Sequence, residues 1–135
     1  MLAKPTGFLT GNVRILVRLE GLAILVFSLL AYEFLGFQWP FFLLMFLVPD
    51  LSLLAYLHSP KIGAIAYNCL HSYILPLMLF AYGFAVDSSD ADRLAIIWIA
   101  HIGFDRALGY GLKYSKGFKY THLGKIGRNH QQTRE

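Results

Sequence analysis

Leu94-Ala95-Ile96-Ile97-Trp98-Ile99-Ala100-His101-Ile102-Gly103-Phe104-Asp105-Arg106-Ala107-Leu108-Gly109-Tyr110-Gly111-Leu112-Lys113-Tyr114 is the stretch on which the reading of this chain turns. It begins as an apolar run. It then sets a histidine, a carboxylate and a guanidinium between positions 101 and 106. His101 and Asp105 are four apart, so on a helix they share one face. Ionisable groups at membrane depth are costly and point to function. Whether this stretch lies in a membrane is decided by the rest of the chain.

The 135 residues suit one domain. Charged residues make up 15% of them, against roughly 25% in an ordinary soluble domain. Hydrophobic residues reach 56%, which is a membrane composition. The net charge of +4 comes mainly from basic residues near the two ends. That pattern sets topology and meets anionic headgroups. No basic stripe with interleaved aromatics suggests nucleic acid. The lone cysteine, Cys69, excludes an internal disulfide and the paired-cysteine zinc motifs. The N-terminal segment lacks a small-residue cleavage site after Leu30, so the first helix is expected to be retained.

Four apolar runs are expected to form transmembrane helices at about 15–35, 40–57, 62–84 and 93–114, each long enough to cross a core of about 30 Å. The second run is interrupted by Pro49-Asp50, and the third carries Asn68, His71 and Pro76. Short loops favour an all-α, up-down-up-down four-helix bundle. The leader, the 58–61 turn and the 115–135 tail are basic, so both termini are expected on the cytoplasmic side of the inner membrane. Trp39, Tyr110, Tyr114 and Tyr120 suit an interfacial belt. His58 and His122 read as solvated. Gly109 and Gly111 are small residues suited to close helix approach.

Counting from the cytoplasmic ends at about 1.5 Å per residue, Glu20 lies roughly 8 Å deep, Asp50 about 11 Å, Asp105 about 12 Å, His71 about 14 Å and His101 about 18 Å. The outer half is almost purely apolar. This predicts a polar layer fed by all four helices. Two histidines with carboxylates are first-row metal ligands. The expected ligands are Asp50, His71, His101 and Asp105, holding zinc, manganese or iron. Glu20 would serve as general base, and Arg106 and Arg18 would hold an anionic group. Arg106 sits about 100° around the helix from Asp105, at the edge of such a site.

The runs Arg18-Leu19-Glu20-Gly21, Pro49-Asp50-Leu51-Ser52-Leu53-Leu54-Ala55-Tyr56, Tyr67-Asn68-x-x-His71-x-Tyr73 and Thr121-His122-Leu123-Gly124, with the opening stretch, cover about residues 14–126. Together they resemble the small four-helix bacterial membrane family termed domain of unknown function 4260. The resemblance implies a membrane location and no established activity. A second resemblance is to YdjM-type inner-membrane metal-dependent hydrolases. It rests on Pro49-Asp50, His71-Ser72 and His101-x-x-x-Asp105 followed by Gly109 or Gly111. Ser52, Leu70 and Asn68 stand where that family has an aspartate, a threonine and a histidine. The resemblance implies metal-dependent hydrolysis, here of an amphiphilic, phospholipid-like substrate. The competing expectation is a non-enzymatic small transporter, an ion- or lipid-binding protein, or a subunit of a membrane complex. Four helices are few for a transporter unless the chain forms a homo-oligomer.

Overall fold

The computed structural model describes residues 11–112, 120–121 and 124–125. Helix α1 (Gly11–Phe34) leads into a turn and then α2 (Trp39–Met45). A 3₁₀ segment (Val48–Leu57) follows, then α3 (Pro60–His71), α4 (Ile74–Val86) and α5 (Ser89–Leu108). Two two-residue strands, β1 (Tyr120–Thr121) and β2 (Gly124–Lys125), pair antiparallel beyond the helices. Tyr114, His122, the side chain of Tyr120 and, the two short strands apart, the rest of the basic tail lie outside the described residues.

Three segments are long and apolar enough to cross a membrane: Gly11–Phe34, Trp39–Leu57 and Pro60–Val86. Their apolar side chains, among them Phe27, Phe34, Leu43, Leu57 and Phe84, are exposed. The sequence predicts one helix for each of the second and third spans, the second interrupted at Pro49-Asp50. Both are broken, and proline accounts for each break. Pro49 has no N–H to bond the Met45 carbonyl, so α2 stops at Met45 and the chain tightens into 3₁₀ geometry. Pro76 likewise cannot bond the Ser72 carbonyl. Ser72 turns extended (φ −93°, ψ 147°), and α3 ends at His71. Ser59 caps the start of α3 by accepting the Ile62 N–H at 3.1 Å.

The fourth run differs most from expectation. It begins at Ser89, where Ser88 caps the helix and Asp90 and Asp92 occupy the first turn. It ends at Leu108, short of Tyr114. Gly109 adopts φ 92°, its N–H donates to Arg106, and the Tyr110 N–H donates to the Asp105 carbonyl at 2.8 Å. That is a Schellman-type stop, which favours glycine. Helix α5 is the most buried element, with Ala95, Ile96, Ile97, Ala100, His101, Ile102, Gly103, Asp105 and Arg106 among its buried residues. Its polar groups are shielded from the surroundings by the other segments, so it need not be uniformly apolar.

Helix α1 lies antiparallel to α5. Arg18 meets Ala107, Gly21 meets Gly103, and Tyr32 joins Ile96, Ile97, Ala100 and Phe42 in the apolar core. A methyl group on Gly21 would lie 2.8 Å from the Gly103 carbonyl, and one on Gly103 would lie 2.8 Å from that of Gly21. The helix approach expected of Gly109 and Gly111 is therefore made by Gly21 and Gly103. Gly109 instead ends α5. Gly21→Leu or Gly103→Leu is expected to cost about 1–3 kcal/mol by overpacking. Thermal unfolding in detergent reads this loss, with Leu43→Ala on the exposed face leaving the transition unchanged.

Candidate metal centre

The two helix breaks position the first two side chains of the site. Asp50 follows Pro49 in the first turn of the 3₁₀ segment, and Ser52 Oγ donates to the Pro49 carbonyl at 2.8 Å. His71 is the last residue of α3. The end of α3 leaves carbonyls without intrahelical donors. Trp98 Nε1 donates to the Leu70 carbonyl at 2.6 Å, and Arg106 Nη2 donates to that of His71 at 2.9 Å. Both donors come from α5. The same helix supplies His101 and Asp105 on one face.

Four ligand atoms converge. His71 Nε2 lies 3.1 Å from His101 Nε2, 3.2 Å from Asp50 Oδ1 and 3.4 Å from Asp105 Oδ2. His101 Nε2 lies 3.2 Å from Asp50 Oδ1 and 3.3 Å from Asp105 Oδ2. All four atoms fall within 4.8 Å of one another, an arrangement that could hold a metal ion. A tetrahedral ion with bonds of about 2.0–2.1 Å separates its ligand atoms by about 3.3–3.4 Å. The distances to the two histidine nitrogens sit near that value.

The chemistry of the donors points the same way. His71 Nδ1 lies 2.9 Å from the Tyr67 carbonyl. A carbonyl only accepts, so in the neutral ring Nδ1 carries the proton and Nε2 presents a bare lone pair. That lone pair faces two carboxylate oxygens and a second imidazole. Such a group could hold a cation at its centre. The backbone bond to His71 Nδ1 is also the partner that orients metal-binding histidines. The Tyr67 ring stacks on the His71 imidazole, with centroids 3.7 Å apart and planes 7° from parallel. Phe46 packs edge-on against His101. Both imidazoles are fully enclosed, and Asp50, with 38% of its side chain exposed, forms the open edge.

The site is built by three elements. Helix α1 supplies no ligand. Glu20 instead lines a separate apolar groove of about 620 Å³ with Phe27, Leu77, Ile96 and Ile99. On α5, Ile96 and Asp105 are about 180° apart, and Ile99 and His101 about 160° apart. Glu20 thus lies across α5 from the four ligands. The second donor of Arg106, Nη1, reaches the Tyr110 carbonyl at 3.2 Å. The guanidinium is buried and ties together the ends of α3 and α5, where the sequence suggested an anion holder. Arg18 Nε donates to the Ala107 carbonyl at 3.0 Å. The end of α5 at Leu108 also makes the site shallower than expected. Asp105 and His101 lie only about 5 and 10 Å from that end.

The roles of Trp98 and Tyr67 were not read from the sequence. Each is visible in hindsight as a helical neighbour, Trp98 three residues before His101 and Tyr67 four before His71. Removing a donor that satisfies a buried carbonyl costs about 1–3 kcal/mol. Trp98→Phe and Arg106→Met are therefore expected to lower stability by that amount in thermal unfolding. Trp39→Phe, which loses an exposed bond to Glu33, is expected to change it less.

No curated protein and no solved structure matches the chain. A family model does, over residues 14–126, and it covers most of the first helix, both breaks, all four candidate ligand residues and the short strands. The chain belongs to the family described as Domain of unknown function (DUF4260).

Proposed function

We propose that the chain is an up-down-up-down protein of the bacterial inner membrane, with both termini cytoplasmic. It holds a divalent ion on Asp50, His71, His101 and Asp105 and hydrolyses an amphiphilic, phospholipid-like substrate. One observation carries this reading: four candidate ligand atoms from three elements converge within 4.8 Å, and each histidine Nε2 lies 3.1–3.4 Å from the other three. Bound there, a zinc, manganese or iron ion supplies Lewis acidity toward a phosphate or ester oxygen. His71 and His101 hold their positions through enclosure. Asp50, at the open edge, is the ligand that water or substrate reaches first. Arg106 positions His71 through its carbonyl. Arg18 and Arg14, near Ala107 and Gly109, place positive charge at the same end of α5 as the ligands. Glu20 has no part in the reaction in this scheme.

A second reading is a non-enzymatic ion-binding protein. It is favoured by the ligand count, because four protein ligands complete a tetrahedral shell, whereas catalytic zinc sites keep a position open.

Metal content separates these readings from a site without an ion. Protein purified in detergent and reconstituted with zinc, manganese or iron is expected to retain one ion per chain. His101→Ala is expected to lose it. Absence of stoichiometric metal in the wild type defeats both readings. Metal retained without turnover of phospholipid vesicles leaves the second. Because bound imidazoles must be deprotonated, acidification is expected to release the ion. Topology is tested separately by replacing Cys69 and labelling single cysteines at positions 36, 89 and 130. Labelling of 36 and 89 only from outside, and of 130 only from inside, is the expected result.

A further inference from the structure

A second, smaller apolar cleft of about 240 Å³ lies against the α5 face that carries His101 and Asp105. Its walls include Pro49, Leu70, Leu79, Leu94, Ile97 and Trp98. Two of these are the immediate chain neighbours of ligands, Pro49 of Asp50 and Leu70 of His71. On α5 the cleft and the ligands form one stripe. Leu94, Ile97, Trp98, His101 and Asp105 recur at spacings of three and four, so they share a face. Along that stripe the lining residue Leu94 lies about 10 Å from His101. The large groove beside Glu20 has no such continuity, because it opens across α5 from the ligands.

We infer that this cleft seats a single hydrocarbon chain of an anionic amphiphile whose headgroup meets the ion at Asp50, His71, His101 and Asp105. The inference rests on the metal site proposed above and names the substrate class of that site. Three observations select the occupant. The cleft is smaller than the roughly 300–1,000 Å³ typical of pockets for compact ligands, which suits one narrow chain. Its walls are apolar, and two of them, Pro49 and Leu70, directly precede Asp50 and His71 in the chain. The ligands lie toward the end of α5 beside which Arg14 and Arg18 of α1 sit, so the charged head belongs there and the tail runs back toward Leu94. That is the pose of a lipid whose head faces the surface nearer Leu108 and whose tail points to the bilayer interior.

Alkyl phosphates test the inference on the full chain in detergent, loaded with cobalt as the spectroscopic ion. Binding is read from the change in the cobalt absorption bands as inorganic, octyl, dodecyl or hexadecyl phosphate is added. The chain is already surrounded by apolar detergent, so packing, not release from water, sets the gain. An advantage of about tenfold for a chain-bearing phosphate over inorganic phosphate is expected, rising with length and then levelling as the cleft fills. Ile97→Trp, which fills the cleft, is expected to remove that advantage while cobalt stoichiometry and the starting spectrum stay as in the wild type. Leu94→Trp, at a partly exposed wall, provides the same test if the first variant does not fold. Cobalt bound with no preference for chain length, or a preference that survives both variants, overturns the cleft assignment and leaves the metal site standing. Failure of the wild type to bind cobalt overturns the metal site, and the cleft assignment with it.

Discussion

Two prolines in otherwise apolar spans impose the constraint on which the rest of the structure depends. Each removes a backbone donor and crowds the preceding turn. In lipid, a helix that breaks exposes carbonyls that no water can satisfy, so broken backbone is tolerated only where protein encloses it. The break at Ser72–Tyr73 is enclosed by α5, which sends Trp98 to the Leu70 carbonyl and Arg106 to that of His71. The break at Met45–Val48 places Asp50 on a 3₁₀ turn facing the same helix. The requirement to satisfy open backbone and the convergence of ligands thus have one cause.

Helix α5 can serve both purposes because other segments surround it. Its contact with α1 depends on Gly21 and Gly103, which bring the two backbones to near van der Waals distance. Its upper part, with Ile96, Ile97 and Ala100, belongs to the aromatic core around Tyr32 and Phe42. Its lower part carries His101, Asp105 and Arg106, all buried. Apolar packing and polar chemistry are therefore stacked along one helix. The polar groups gain a low-dielectric setting in which an unbalanced charge is costly.

Neighbouring residues on α5 have opposite assignments for the same reason. Asp105 turns inward to the ligand cluster, while Arg106, about 100° further round, turns to the end of α3. A residue's type alone marked both as ionisable groups in an apolar run. Only the face each occupies, and what packs against that face, assigns one to the cluster and the other to a backbone clamp.

The sequence by itself determined that the chain is helical and apolar enough to cross a membrane, because apolar length and charge depletion are local properties. It also nominated Asp50, His71, His101 and Asp105, since polar residues in apolar runs stand out and a four-residue spacing fixes a shared face. Tertiary structure decided the rest. It set Glu20 across α5 from the cluster, because which side of α1 meets α5 depends on the Gly21–Gly103 contact between segments far apart in the chain. It ended α5 at Leu108, although the apolar pattern runs on to Tyr114. It also turned Trp98 into a support of the site, because the Leu70 carbonyl is open to its indole N–H only once α3 has broken at Ser72. Periodicity specifies which residues share a face; the packing of broken helices specifies what that face meets.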